Sequence, residues 1–122
     1  MAFKFVCSLC VIFLVNSQCL AAEFSAASKR EVEALLQSLA DSGCQFNRNG
    51  SWYSGNEAKA HLTRKLAYVI EHQQATSTEE FIQVAATKSS MSGLAYLVRC
   101  QDQVVTPSAF WLSATLKRLR AK

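Results

Sequence analysis

Residues 43–57 read GCQFNRNGSWYSGNE, and this stretch decides the fold. Asn49-Gly50 is the favoured pair for a two-residue type I′ turn, because both turn positions need positive φ. The turn joins a strand over 44–48 to one over 51–53. It pairs Arg48 with Ser51, Asn47 with Trp52 and Phe46 with Tyr53. Side chains alternate faces along a strand, so Cys44, Phe46 and Tyr53 share one face, the expected core face. Gly43 stands where a preceding helix would end in a left-handed residue. Ser54 with Glu57 has the capping-box spacing that opens a following helix.

Working outward, Ser28 and Glu31 give a second capping-box pattern, followed by Val32, Leu35, Leu36 and Leu39 at helical spacing. The helix after Ser54 is predicted to run to about His72, with Ala58, Leu62, Leu66, Val69 and Ile70 as its buried stripe. Thr76 with Glu79, or Ser77 with Glu80, opens a third helix whose apolar positions are Phe81, Ile82, Val84 and Ala85. Residues 89–93 (SSMSG) end it. Residues 95–100 read as a strand with Tyr96, Val98 and Cys100 on one face. Thr106 and Pro107 look like the N-cap and first residue of a last helix, with Leu112, Leu116 and Leu119 as its stripe and Trp111 beside it. The order α-β-β-α-α-β-α predicts an α+β fold, a small three-stranded antiparallel sheet with four helices on one face. No repeat, low-complexity run or linker divides residues 22–122, which read as a single domain.

The beginning of the chain of 122 residues differs in character. Lys4 is the only charge before Glu23, and an apolar run covers Val6–Val15. At roughly ten residues it has the length of a signal-peptide core and is too short to span a ~30 Å hydrocarbon layer as a helix. Small residues at 19, 21 and 22 place cleavage near Ala21–Ala22, so residues 1–21 read as a signal peptide and the processed chain as not membrane-spanning. Cys7, Cys10 and Cys19 leave with it. Gln18 before Cys19 argues against lipidation. Cys44 and Cys100 remain, and two thiols in an oxidising compartment read as one disulfide. If the strand over 95–100 joins the hairpin, Cys100 points the same way as Cys44. The expected location is the periplasm.

Several of these residues together resemble a known family. They are 43–50 (GCQFNRNG); Tyr53, Glu57-Ala58, His61-Leu62 and Lys65; 78–82 (TEEFI), Ser89-Ser90, Ser92-Gly93, Tyr96 and 98–100 (VRC); and Trp111-Leu112. As a set, covering about residues 28–120, they resemble the YfeK-like family of small bacterial periplasmic proteins. Leu94-Ala95 before Tyr96 departs from the proline or charged residue expected there. The resemblance implies export and a shared fold, and no activity.

The candidate chemistry is sparse. Glu57, His61 and Lys65 lie four apart, hence on one helix face. They suit either general acid–base work or a structural polar network, with His61 held near Glu57 or a backbone carbonyl. Glu57 and His61 make only two metal ligands where zinc takes three or four. No catalytic serine elbow, phosphate loop or dinucleotide fingerprint occurs, and no cofactor or metal is expected. Arg48, Arg64, Arg99 and the N-terminus of the second helix could meet around an anion; alternatively the arginines are separate surface charges or pair with Glu57 and Asp102. Ser92-Gly93-Leu94-Ala95-Tyr96 has the Ser-Gly-x-x-Tyr spacing of the inhibitory loop in some periplasmic lysozyme inhibitors. Lys117, Arg118, Arg120 and Lys122 read as a solvated last helical turn, where cations suit the dipole. Nucleic acid is not an expected partner of an exported chain.

The candidate ligand or partner surface is therefore Arg48, Tyr53, Glu57, His61, Lys65, Ser90 and Arg99. The function read from the sequence is a non-enzymatic binding or interaction module of the cell envelope, with an envelope protein or cell-wall component as partner. The alternatives are an envelope hydrolase using the Glu57/His61 face and an inhibitor of a cell-wall lytic enzyme.

Overall fold

A computed structural model describes residues 23–122; the signal-peptide reading and its three cysteines lie outside the described residues. Eight elements follow one another: α1 (Ala26–Asp41), β1 (Gln45–Arg48), β2 (Ser51–Ser54), α2 (Gly55–Glu71), α3 (Thr78–Ala85), β3 (Leu97–Arg99), β4 (Thr106–Pro107) and α4 (Ser108–Arg120). The fold is α+β, with four helices and an antiparallel sheet of strand order β2-β1-β3-β4.

The sheet has four strands where three were expected. The fourth is the Thr106-Pro107 pair, which lies extended against β3 with Leu97 opposite Pro107 and Val98 opposite Thr106. A proline has no N–H to give a ladder, so it fits best at a sheet edge, and β4 is one of the two edges. Thr106 consequently does not cap α4. That helix begins at Ser108 without a side-chain cap, and the Ser108 N–H donates to the Tyr96 carbonyl at 2.8 Å. The start of α1 also differs. Ser25, not Ser28, is the N-cap, accepting from the Ser28 N–H. This frees Glu31 for another partner.

Local chemistry explains the rest. Asn49 and Gly50 have φ of 53° and 84°, the doubly positive turn a tight hairpin needs. The β1–β2 register is the one the turn dictates. Ser54 and Glu57 form the reciprocal capping box of α2, and α3 takes the Ser77–Glu80 alternative. Gly43, at φ 71°, turns the chain out of α1.

Strand parity then sorts the sheet into two faces. Phe46 and Val98, which pair across β1 and β3, are both 1 % exposed on the helix side. Gln45, Asn47, Trp52 and Arg99 fall on the other side, exposed or half-buried. The helix α1 is the centre of the core: Val32, Leu35, Leu36 and Leu39 are at most 1 % exposed, each burial contributing roughly 1.5–3 kcal/mol. It packs on α2, α3 and α4. At the start of α2 the backbone of Gly55 lies so close to α1 that a Cβ there would sit 2.4 Å from the Leu39 carbonyl oxygen.

Cys44, just before β1, and Cys100, just after β3, are disulfide-bonded with their Cα atoms 4.2 Å apart. The bond continues the β1–β3 pairing by one step. At the far end of the core, Arg120 of α4 pairs with Glu31 of α1 at 2.7 Å and with Glu79 of α3. The guanidinium holds the Glu31 carboxyl down at about 2 and lowers that of Glu79. One residue of the basic C-terminal cluster is therefore a tie between three helices. The other three are exposed.

Candidate functional site

The face of α2 that meets the turn end of the hairpin carries His61 and Lys65, one turn apart. Beneath them lies Tyr96, just ahead of β3, which is 2 % exposed and packs tilted against Phe46 with ring centroids 5.0 Å apart. Arg48 reaches the same place because it shares strand parity with Phe46 and ends β1.

These side chains form one hydrogen-bonded row. Arg48 Nη1 lies 3.1 Å from His61 Nδ1, and His61 Nε2 lies 3.2 Å from the Tyr96 hydroxyl. Lys65 Nζ donates to the same hydroxyl at 3.1 Å. A guanidinium can only donate, so Nδ1 must be the accepting nitrogen, and Nε2 then carries the proton and donates to Tyr96. The row fixes His61 as the neutral Nε2–H tautomer. Burial, and after it the charges of Arg48, Lys65 and Arg64, pull the imidazole down to about 4. Burial and then Arg48 also lower the Lys65 ammonium, while burial raises the Tyr96 phenol.

The acid–base row Glu57–His61–Lys65 does not assemble. Glu57 turns back on the helix start, where its Oε2 accepts the Ser54 N–H at 2.9 Å. His61 is held, but by Arg48 and Tyr96 rather than by Glu57 or a carbonyl, because the strand underneath offers closer partners than the preceding turn does. Sequence reasoning missed Tyr96 as the hub. Its alternation with Val98 and Cys100 placed the ring inside, and the hydroxyl at the end of an inward-pointing tyrosine was the available signal, since a buried phenol seeks partners.

A cleft of about 290 Å³ opens beside the row, bordered by Arg48, Tyr53, Glu57, His61 and Arg64 among others. A second hollow of about 500 Å³ continues past His61 and Arg64 to Lys65, Tyr68, Val84 and Ser90. Arg48 lies over the Tyr53 ring, 4.9 Å from its centroid. Six of the seven candidate surface residues thus gather around the two hollows. Arg99 does not. It stands on the opposite face of the sheet, over the Trp52 ring at 4.0 Å and bonded to Gln45, because it pairs with Gln45 and shares its parity. Among the described residues no three His, Cys, Asp or Glu side chains gather as metal ligands, and no helix is long and apolar enough to cross a membrane.

The Ser92–Tyr96 segment resembles an inhibitory loop in spacing alone. Its tyrosine is buried against Phe46 and engaged by His61 and Lys65, so it does not project with Ser92 toward a partner.

A family profile matches residues 26–120, which is nearly all of the described chain. The chain belongs to DUF5329, a family of unknown function. No curated protein and no solved structure matches significantly. Membership in DUF5329 brings a shared domain and leaves the chemistry to be read from the site itself.

Proposed function

We propose that this protein is exported, cleaved near Ala21–Ala22, and acts in the periplasm as a non-enzymatic binding module of the cell envelope, using the Arg48–Tyr53–His61–Arg64 cleft. Export is supported by the apolar run at 6–15 followed by small residues, by a disulfide of the kind that persists in oxidising compartments, and by the YfeK-like pattern of motifs.

The state of His61 carries the non-enzymatic part. A general base needs a free lone pair and a pKa near the working pH. Here Nδ1 accepts from Arg48, Nε2 donates to Tyr96, and burial, then the adjoining cations, oppose uptake of a proton. Among the described residues no carboxylate orients the ring, and Ser90 reaches only the neighbouring hollow. The arrangement holds Arg48 and Lys65 in place rather than moving protons.

The test is twofold. Intact mass of the exported protein should begin at Ala22 or Glu23. Immobilised protein should retain a component of an envelope extract that Arg64→Gln loses without a change in melting temperature. A mature N-terminus at Met1 overturns export. Hydrolysis of cell-wall material by the purified protein, abolished by His61→Ala, overturns the binding reading.

A further inference from the structure

We propose that the cleft bordered by Arg48, Tyr53, His61 and Arg64 binds a single oxyanionic group, a carboxylate or a phosphate, carried on the module's ligand; this rests on the binding-module reading above.

The first argument is a surplus of donors. Arg48 donates to His61, His61 to Tyr96, and Lys65 also to Tyr96. Every bond in the row runs toward the phenol oxygen, and among the described residues neither end of the row meets an acceptor side chain. Arg48 has five N–H groups, so most of its fork remains to be used. A planar fork beside a second arginine matches the bidentate geometry of carboxylate and phosphate.

The second argument is charge. Arg48, Arg64 and Lys65 act together on His61, while among the described residues the ion pairs are those of Arg120, at the other end of the molecule. Glu57 is the one carboxylate bordering the cleft, and one of its oxygens is committed to the Ser54 N–H. Arg48 and Arg64 facing one partly engaged carboxylate, with Lys65 in the adjoining hollow, leave an excess positive charge in a half-enclosed space, where Coulomb terms exceed their bulk-water value. An anion relieves that crowding. A metal cation would worsen it.

The third argument is scale. A cleft of about 290 Å³ accepts one small group and a little of what carries it. Arg99 and Arg120 do not extend it into a track: Arg99 is on the far face of the sheet and Arg120 is paired across the helices. One anionic group fits this distribution, and a polyanionic strand does not.

The experiment is a titration of the 15N-labelled protein with inorganic phosphate and separately with acetate, at low ionic strength with matched sodium chloride controls. Saturable amide shifts are expected around 48, 61 and 64. Arg64→Gln should weaken the response about tenfold or more, since a charge-assisted bond is lost, and the exposed Lys117→Gln should leave it unchanged. A response to phosphate alone assigns a phosphate ester, and to acetate alone a carboxylate; either supports the site. No saturable response overturns the inference, as does one that survives Arg64→Gln or equals the chloride control. Retention of envelope material separates this from the parent reading. Retention without an anion response overturns the oxyanion inference only; an anion response without retention supports the site and overturns the envelope-partner reading.

Discussion

Breaking the Cys44–Cys100 bond should cost the domain a large share of its stability. The two cysteines are 56 residues apart in sequence. A cross-link closing a loop of that length removes denatured-state entropy worth about 4 kcal/mol at 25 °C in the chain-entropy treatment. A domain of this size has a total stability of roughly 5–15 kcal/mol. The bond lies at one end of the β1–β3 pairing, so losing it should not abolish the core around α1. The melting temperature should fall by roughly 20 °C, from the unfolding entropy of a domain of about 100 residues. The assay is a circular-dichroism melt with and without reductant, beside a Cys44→Ala/Cys100→Ala double variant that needs none. Urea titrations of the same samples should also show a steeper m-value once the cross-link is gone, because the open chain exposes more surface on unfolding. Oxidised, reduced and double-variant proteins melting within a few degrees of one another would refute this reasoning, as would free thiols in the denatured, unreduced protein.

Three further outcomes follow from particular contacts. Gly55→Ala places a methyl against the Leu39 carbonyl; because the obstacle is backbone, the cost should be about 1–3 kcal/mol by urea unfolding, and a neutral or stabilising result would mean that α1 and α2 are not packed so closely. Tyr96→Phe keeps the ring on Phe46 but strips His61 and Lys65 of their shared acceptor, for an expected loss of about 1–3 kcal/mol; an unchanged denaturation midpoint would count against the row. Glu31 is held at about 2 and Glu79 is also lowered, in both cases first by Arg120, so their contribution is complete above the ordinary value of 4.5 and is lost as pH falls toward 2. In Arg120→Gln the Glu31 carboxyl should titrate near its ordinary value by NMR, and stability should depend less on pH in that window; a Glu31 midpoint still near 2 would disprove the tie.

Much of the fold was legible because its signals are local. The Asn49-Gly50 turn fixes its own register, the Ser54–Glu57 box fixes the start of α2, and Gly43 marks the end of α1; each depends on residues within one turn of chain. The disulfide was legible by parity once the third strand was laid beside the hairpin. What was misread depended on distant partners. Thr106-Pro107 has the look of a helix start, and becomes a strand only because β3 stands alongside it. Ser28 with Glu31 satisfies the capping pattern, yet Ser25 caps α1 and Arg120, 89 residues away, takes Glu31. The site shows the same division. Helical spacing correctly put His61 and Lys65 on one face, while Tyr96, 35 residues from His61, replaced Glu57 as the partner. Arg99 was grouped with Arg48 by charge, although its parity with Gln45 sends it to the other face of the sheet.

The arrangement at His61 can be measured directly by following its ring nitrogens and protons by NMR as pH is lowered, first in chloride buffer and then with added phosphate or acetate. The cleft described above requires the neutral Nε2–H tautomer, a titration midpoint near 4 rather than the ordinary 6.5, and an upward shift of that midpoint when an anion sits beside the ring and offsets the charges of Arg48, Arg64 and Lys65. A ring that titrates near 6.5, carries its proton on Nδ1, or ignores phosphate and acetate alike would contradict the donor-rich cleft and the binding role built on it.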